Sequence, residues 1–378
     1  MAKVIYYENL TWPEVAELPR DLPLVLPLGD GYDPHAVAVA LGVEQVCMLP
    51  PLPYGWAGSL ITVSEEMLRQ VVAGLFSGPH QEGFTRLYVL HAGREDLDML
   101  GVHQLHLEPI SPPNSLTLNA SPERVVLISS GHTEQHGYHL PMNTDTVIID
   151  AITRGVVQAI PREAEMLPTL PYGVSMHRSS FAGTFNMGGR TYEDFMLAVV
   201  GELVARGADR LYLMSGHGGN MSFLVNVVKY AGERYPDAFT ATSFLHTAGR
   251  LSVPAVEKYR RSERGGMGHA CELETSFMLH LRPDLCHMER VVDETDFIST
   301  PGYFMDWVES GELIANPPWE DDTATGAYGA GSLATAENGA RWLQVAIEEK
   351  ILHVREIHEQ QNRRRAKRAA MKKMRQAM

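Results

Sequence analysis

Short apolar segments alternate along this chain with helix-length amphipathic segments, and this alternation limits the possible folds more than any other feature of the sequence. The apolar segments are rich in Val, Leu and Ile and have the length of buried strands. We predict strands at residues 23–28, 86–90, 124–129 and 210–214 and helices at residues 64–76, 144–160, 191–206, 221–234 and 333–361. Strands that alternate with helices form parallel sheets, so we expect a three-layer α/β/α fold with a mainly parallel central sheet.

Parts of the sequence recur. Three pairs of segments match in the same order: residues 23–35 with 124–136, 52–55 with 170–173, and 86–93 with 210–217. LPYG is identical in the second pair, and RLYVLHAG resembles RLYLMSGH in the third. We therefore predict two copies of one α/β unit, although any two βαβ units share some strand and turn chemistry.

The two copies differ in their polar residues. The alignment places Tyr32 opposite Glu134, Pro34 opposite His136, and Gly93 opposite His217. The first copy therefore lacks side chains that the second copy has. We predict a degenerate α/β domain at residues 1–115, a catalytic domain at 116–355 and a basic helical tail at 356–378.

The segment GHTEQHGYHLPMNTDT, residues 131–146, carries the densest group of polar side chains and directly follows a predicted strand. Imidazole and carboxylate groups bind Zn²⁺, Mn²⁺ or Fe²⁺ in hydrolases. Glu134 and His136 alternate on an extended segment, so they point in opposite directions and suit two metals better than one. Asp145, at the start of a predicted helix, is placed to bridge two metals. The alternative is that Asp145 or Thr144 only caps that helix.

Two further segments carry candidate ligands. SGHGGN, residues 215–220, places His217 between a strand and a helix, and its glycine spacing fits neither a dinucleotide-binding nor a P-loop motif. GHACELETS, residues 268–276, contains His269 and two glutamates at the start of an apolar helix. Glu272 and Glu274 cannot share one helix face. We expect one to be a first-turn charge and the other to join His269 in a site.

These three segments, in this order and spacing, resemble the motifs of the creatininase (creatinine amidohydrolase) family over about residues 117–355. The resemblance implies an α/β fold, two divalent metal ions, hydrolysis of amide C–N bonds and frequent assembly into hexamers. It implies that Glu134 and His217 hold one metal and that His136 and Glu274 hold the other. Asp145 would bridge the two metals, and His269 would be the catalytic histidine. Zn²⁺ is the expected metal, with Mn²⁺ or Fe²⁺ as alternatives.

Other residues are predicted to line the substrate side of the site. They are His177, Arg178, Gly219 and Asn220, and His139 is predicted to orient a ligand through a hydrogen bond. The sequence departs from true creatininases at Gly219, where they have a glutamate. They also have a tryptophan just before the catalytic histidine, whereas all five tryptophans of this chain lie outside residues 57–306. Creatinine is therefore not the expected substrate.

Three functions compete at this stage. The first is an amidohydrolase of a small cyclic or formylated amide that uses metal-activated water. The second is a metallopeptidase that trims a short peptide in a biosynthetic pathway, because relatives with the GHGGN form include such an enzyme. The third is a scaffold without catalysis, which the complete ligand set of the second copy disfavours.

Charge and cysteine content restrict location and partners. Residues 363–378 hold eight Lys or Arg and no acid, which leaves 24 basic and 46 acidic residues, a formal charge of −22, in residues 1–362. Such an acidic body argues against binding nucleic acid, and no apolar run is long enough to cross a bilayer. Three scattered cysteines favour a reducing compartment. We expect a cytoplasmic homo-oligomer that binds a small amide.

Overall fold

The computed structural model describes residues 2–93, 97, 99, 101–110, 118, 121–176, 180–243, 245, 249–309 and 311–377. Its strands are β1 (Lys3–Tyr6), β2 (Leu24–Pro27), β3 (Gln45–Met48), β4 (Leu87–His91), β5 (Val102–His106), β6 (Val125–Ser130), β7 (Ala164–Met166), β8 (Arg210–Ser215), β9 (Phe239–Thr242), β10 (Met267–His269) and β11 (Tyr328–Gly329). Its α-helices are α1 (Trp12–Ala16), α2 (Pro34–Leu41), α3 (Glu65–Gln81), α4 (Thr144–Ala159), α5 (Gly189–Ala205), α6 (Met221–Arg234), α7 (Ser252–Tyr259), α8 (Glu272–Leu281) and α9 (Ala336–Ala377).

The second half of the chain forms a parallel sheet of order β7-β6-β8-β9 with helices on both faces. Successive residues of β6 point to opposite faces. Val125 and Leu127 pack in a core with residues of α4 and α9, whereas Val126 and Ile128 pack in a core with residues of α5 and α6. Both faces of the strand are covered, which explains its continuous apolar sequence. The predicted α/β fold with three layers is confirmed.

The first half forms a second parallel sheet, of order β1-β3-β2-β4-β5. The helix α3 packs against α5. Side chains on β2, α3, α5 and β8 therefore belong to one apolar cluster that spans both halves. The two sheets share a core through these helices.

The strand order β3-β2-β4-β5 of the first sheet matches β7-β6-β8-β9 of the second. One turn is also alike in the two halves. The amide of Gly29 donates to the carbonyl of Leu52 at 2.9 Å, and the amide of Gly131 donates to the carbonyl of Leu170 at 2.8 Å. These contacts agree with the predicted alignment of the two copies, and we propose an internal duplication on that basis.

The C-terminal tail continues α9 without a break, so the predicted boundary at residue 355 falls inside one helix. Arg365 forms an ion pair with Asp209 at 2.5 Å, and Arg368 forms one with Asp237 at 3.5 Å. Part of the basic tail therefore binds acidic residues next to β8 and β9. Across the described ranges, no helix combines the length and the apolar character needed to cross a bilayer.

The hydroxyl of Tyr172, fully buried in the second half, donates to the carbonyl of Pro50 in the first half at 2.6 Å. Tyr172→Phe removes this bond and leaves the carbonyl without that donor, so we expect a loss of about 1–3 kcal/mol of unfolding free energy. Urea unfolding measures the loss. Tyr230→Phe is the control, because Tyr230 is 50% exposed. Equal stability of both variants and the native protein would contradict the assigned contact.

Candidate metal centre

The loop after β6 places Glu134 and His136 in the interior, where both are fully buried. Nδ1 of His136 lies 3.1 Å from the carbonyl of Glu134. A carbonyl oxygen only accepts, so Nδ1 carries the proton and Nε2 is left with a lone pair. That Nε2 lies 3.1 Å from Oδ1 of Asp145. The imidazole is therefore oriented with a ligating nitrogen toward a carboxylate.

His217 approaches Asp145 from the loop after β8. Its Nε2 donates to the carbonyl of Val174 at 2.9 Å, so in the neutral, metal-binding form of the ring Nδ1 has a lone pair. This Nδ1 lies 2.9 Å from Oε1 of Glu134 and 3.2 Å from Oδ2 of Asp145. The two oxygens of Asp145 thus face two different imidazoles, His136 and His217.

Two close approaches explain why glycines surround His217. A Cβ at Gly216 would collide with the carbonyl of Asp145, and a Cβ at Gly219 would collide with the ring of His217 and the carbonyl of Val174. A glutamate at position 219 would need this backbone to move. The SGHGGN segment therefore serves close packing around the histidine.

The segment between β10 and α8 supplies the third side of the site. Ala270 has a φ of +49°, and its amide donates to Oε2 of Glu274 at 2.6 Å. The carboxylate of Glu272 instead accepts from the amides of Arg261 and Ser262, at 2.8 and 2.7 Å. Glu272 thus binds backbone and Glu274 faces the site, which agrees with the choice of Glu274 that the family resemblance implied.

His269 lies on the same side. Its Nε2 donates to the carbonyl of Gln135 at 2.7 Å. Its Nδ1 lies 3.9 Å from Oε1 of Glu134 and 3.9 Å from Oε2 of Glu274. The ring is thus held at one nitrogen and presents the other to the carboxylates.

Candidate ligand atoms of these side chains form three overlapping groups, each within 4.8 Å: His132, Glu134 and His217; Glu134, His136 and His269; and His136, Asp145 and Glu274. Glu134, Asp145 and Glu274 are each at most 3% exposed. Burying carboxylates is costly unless they are paired or bind a metal. The donor set therefore fits divalent cations.

The buried carboxylates also raise the pKa values of the histidines beside them. Burial disfavours the charged ring of His217, but the Glu134 and Asp145 carboxylates outweigh burial and raise the pKa to about 9. Burial also opposes the charge of His136, and Asp145 and Glu274 raise its pKa nonetheless. Without a cation, a second proton on each ring, at the nitrogen that faces the carboxylates, offsets their negative charge, and a bound cation would displace that proton.

His132 lies in the first motif, but the motif predicted no role for it. It is fully buried, and its Nδ1 accepts from the amide of Gly173 at 2.9 Å. In the neutral ring Nε2 therefore carries the proton, so His132 is not placed to bind a metal, although it groups with Glu134 and His217. A fixed ring orientation of this kind is visible only in the structure.

Trp319 was also missed. Its ring meets His269 edge-on, with centroids 5.1 Å apart, and it is 4% exposed. It also packs on Tyr328, with ring centroids 4.5 Å apart. Although no tryptophan stands just before His269 in the sequence, one from 50 residues further along the chain covers it.

The remaining predicted residues take different positions. Nε2 of His139 lies 2.9 Å from the hydroxyl of Thr275, the neighbour of Glu274, so its hydrogen bond orients the start of α8. The amide of Asn220 accepts from Val174 N at 3.0 Å and donates to Gly131 O at 3.2 Å. Asn220 therefore ties loops together, and its contact with substrate stays a prediction. His177 and Arg178 lie outside the described residues.

Two curated relatives share sequence with this chain. One is a mycofactocin precursor peptide peptidase of Mycobacterium ulcerans, 32% identical over 173 residues, which are 44% of this chain and 62% of the relative. The other is a creatinine amidohydrolase of Pseudomonas putida, 32% identical over 190 residues, which are 46% of this chain and 70% of the relative. The match thus spans less than two thirds of the peptidase's length.

Solved structures and a family model extend the comparison. A structure described as creatininase Mn has a TM-score of 0.53 and 28% identity, covering 62% of this chain and 91% of that chain. Another, described as a Zn-Zn type of a mutant creatininase, has a TM-score of 0.52 and 28% identity over 62% of this chain and 90% of that chain. The family model for creatininase (creatinine amidohydrolase) matches residues 115–352, more than half of the sequence. This chain therefore belongs to the creatininase family.

Proposed function

We propose that this protein is a dinuclear metal-dependent hydrolase that cleaves the C–N bond of a small cyclic or formylated amide. The observation that carries this proposal is the position of Asp145, whose two carboxylate oxygens face His136 and His217 separately. Glu134 lies beside His217 and would complete one metal position. Glu274 groups with His136 and Asp145 and would complete the other.

Zn²⁺ is our first choice of metal, with Mn²⁺ and Fe²⁺ as alternatives, since imidazole and carboxylate ligands suit all three. The solved relatives described with Mn and Zn support the first two. When bound, such a pair of metal ions would polarise the carbonyl group of the substrate and lower the pKa of a water molecule.

His269 is the residue we propose as proton donor. An amide nitrogen leaves poorly unless it is protonated, so hydrolysis needs an acid near the scissile bond. The carbonyl of Gln135 holds Nε2 of His269, and Nδ1 faces the carboxylates that would bind metal. Nδ1 can therefore carry a proton to the departing nitrogen. Trp319 packs on the same ring and would border the substrate.

A peptidase that trims a short peptide is the second candidate. The similarity to the mycobacterial peptidase supports it. The GHGGN form of the second motif also supports it, because the family resemblance associates that form with such a peptidase. The same ligands serve both functions, so the size of the substrate distinguishes them. We further propose a homo-oligomer, with a hexamer as the state expected from the family resemblance.

Activity on defined substrates tests this proposal. The purified chain, reconstituted with Zn²⁺ or Mn²⁺, is assayed on creatinine, on formylated amines, on cyclic amides and on peptides of increasing length. We expect turnover of a small amide that a chelator abolishes and added metal restores. Turnover confined to peptides would favour the second candidate. Hydrolysis that survives complete metal removal would contradict both.

Trp319→Phe is expected to lower kcat/KM for the accepted substrate about 10-fold, mainly through KM, because the smaller ring retains less contact beside His269. Steady-state kinetics measure the change, and metal content should stay the same. Trp342→Phe is the control, since Trp342 lies on α9 and belongs to a different apolar cluster from Trp319. An unchanged KM in Trp319→Phe would exclude a contact of Trp319 with substrate.

A further inference from the structure

A cavity of about 610 Å³ lies between the two halves of the chain, and none of the proposed metal ligands lines it. Its walls come from the turn after β2, the loop after β3, the segment after β7 and the first turns of α4. Its volume lies within the range of about 300–1,000 Å³ that is usual for small-molecule sites. The cavity is thus large enough for a ligand and separate from the metal ligands.

Two acceptor atoms of lining residues are buried without a hydrogen-bond partner among the described residues. They are Oε2 of Glu8 and Oδ1 of Asn143. Asn143 is 9% exposed, and its Nδ2 already donates to Oδ1 of Asn9 at 3.2 Å. Most buried polar atoms in proteins are hydrogen-bonded, so two exceptions on residues that line one cavity point to a donor that the cavity wall does not supply.

The charged groups of the cavity are mostly acidic. Glu8, Asp30 and Asp150 line it together with one cation, Arg154. Nε of Arg154 forms an ion pair with Oδ2 of Asp150 at 2.5 Å. Burial raises the pKa of Glu8 to about 7, as expected for a carboxyl group without a compensating cation. A ligand with a positive charge would offset this cost.

The other walls are apolar. Pro50, Pro51, Pro53, Trp56 and Leu60 line the cavity on the side of the first half. Proline rings and an indole offer flat apolar surface, and an indole face also attracts cations. A ligand for this cavity therefore combines an apolar body with hydrogen-bond donors.

We propose that this cavity binds a small organic ammonium ion, with the ammonium group donating to Glu8 and Asn143 and the apolar body lying against the proline and tryptophan wall. The ligand class follows from the two buried acceptors and from the acidic lining, which disfavours anions. The site does not depend on the chemistry proposed for the metal centre.

Calorimetric titration of the metal-loaded chain, residues 1–378, tests the site with three probes of similar size. We expect phenethylamine to bind at least ~10-fold more tightly than phenylethanol, because a charged donor on a carboxylate contributes more than a hydroxyl. Phenylpropanoate, an anion, should not bind. Equal affinity for amine and alcohol, or no binding of phenethylamine at millimolar concentrations, would overturn the proposal.

Two variants locate the binding. Glu8→Gln keeps the shape and removes the charge, and it should weaken phenethylamine binding at least ~10-fold. Glu44→Gln, an exposed acid of the same half, should leave the affinity unchanged. If Glu8→Gln does not fold, Leu60→Trp fills the cavity instead and should abolish binding. Undiminished binding in a folded variant at either position would show that the amine binds elsewhere, and the assignment would be wrong.

Discussion

Asp145→Asn is expected to remove both metals and to lower kcat by at least ~1,000-fold, equivalent to about 4 kcal/mol in the activation barrier. Asparagine keeps the size of the side chain but replaces one anionic oxygen by an amide nitrogen, which cannot ligate. Oδ1 of Asp145 lies 3.1 Å from Nε2 of His136, and Oδ2 lies 3.2 Å from Nδ1 of His217. One substitution therefore affects both proposed metal positions. Elemental analysis of the dialysed variant, with activity measured in parallel, checks this result.

Asp194→Asn is the matched control, because Asp194 is exposed on α5. It should retain native metal content and activity. If Asp145→Asn bound two metals per chain, the bridging role would be wrong. A loss of exactly one half of the metal would instead assign Asp145 to a single position.

His269→Gln is expected to lower kcat by about 100- to 10,000-fold while the metal content stays native, because general acid catalysis contributes on that order. Glutamine can keep a hydrogen bond to the carbonyl of Gln135 but does not carry a proton at neutral pH. Single-turnover kinetics with matched metal analysis separate the proton role from a ligand role. This distinction is needed because His269 also groups with Glu134 and His136 as a possible ligand set.

His280→Gln controls for the substitution, since His280 is exposed near the end of α8. Loss of metal in His269→Gln would reassign His269 as a ligand. A kcat within about two-fold of native, with metal present, would exclude a catalytic role.

The sequence predicted those strands and helices whose burial gives a regular pattern of apolar residues. The strand predicted at residues 124–129 is β6, Val125–Ser130, because a strand buried on both faces has a continuous apolar sequence. The strand β9, Phe239–Thr242, was missed. It is only half-buried at the edge of its sheet, so its sequence lacks that signal. The helix predicted at residues 333–361 and the basic helical tail predicted at 356–378 are one continuous helix, α9, which ends at Ala377.

The candidate site likewise contains residues that local motifs predicted and contacts that they did not. Glu134, His136, Asp145 and His217 were predicted as ligands from motifs that directly follow strands or begin a helix, and the structure brings them together. The helix pattern alone did not separate Glu274 from Glu272. The family resemblance implied Glu274, and the structure gives the physical reason, since amides of residues 261 and 262 fold back onto Glu272. The contact of Trp319 with His269 likewise depends on the path of a loop. Such long-range contacts leave no mark in a local motif.

The number of metal ions per chain tests the central claim most directly. The native protein, loaded with Zn²⁺ and dialysed against metal-free buffer, is analysed by inductively coupled plasma mass spectrometry together with quantitative amino-acid analysis. Two metals per chain are expected, because Glu134 with His217 and His136 with Glu274 lie on the two sides of Asp145. A single metal, or none, would contradict the dinuclear site.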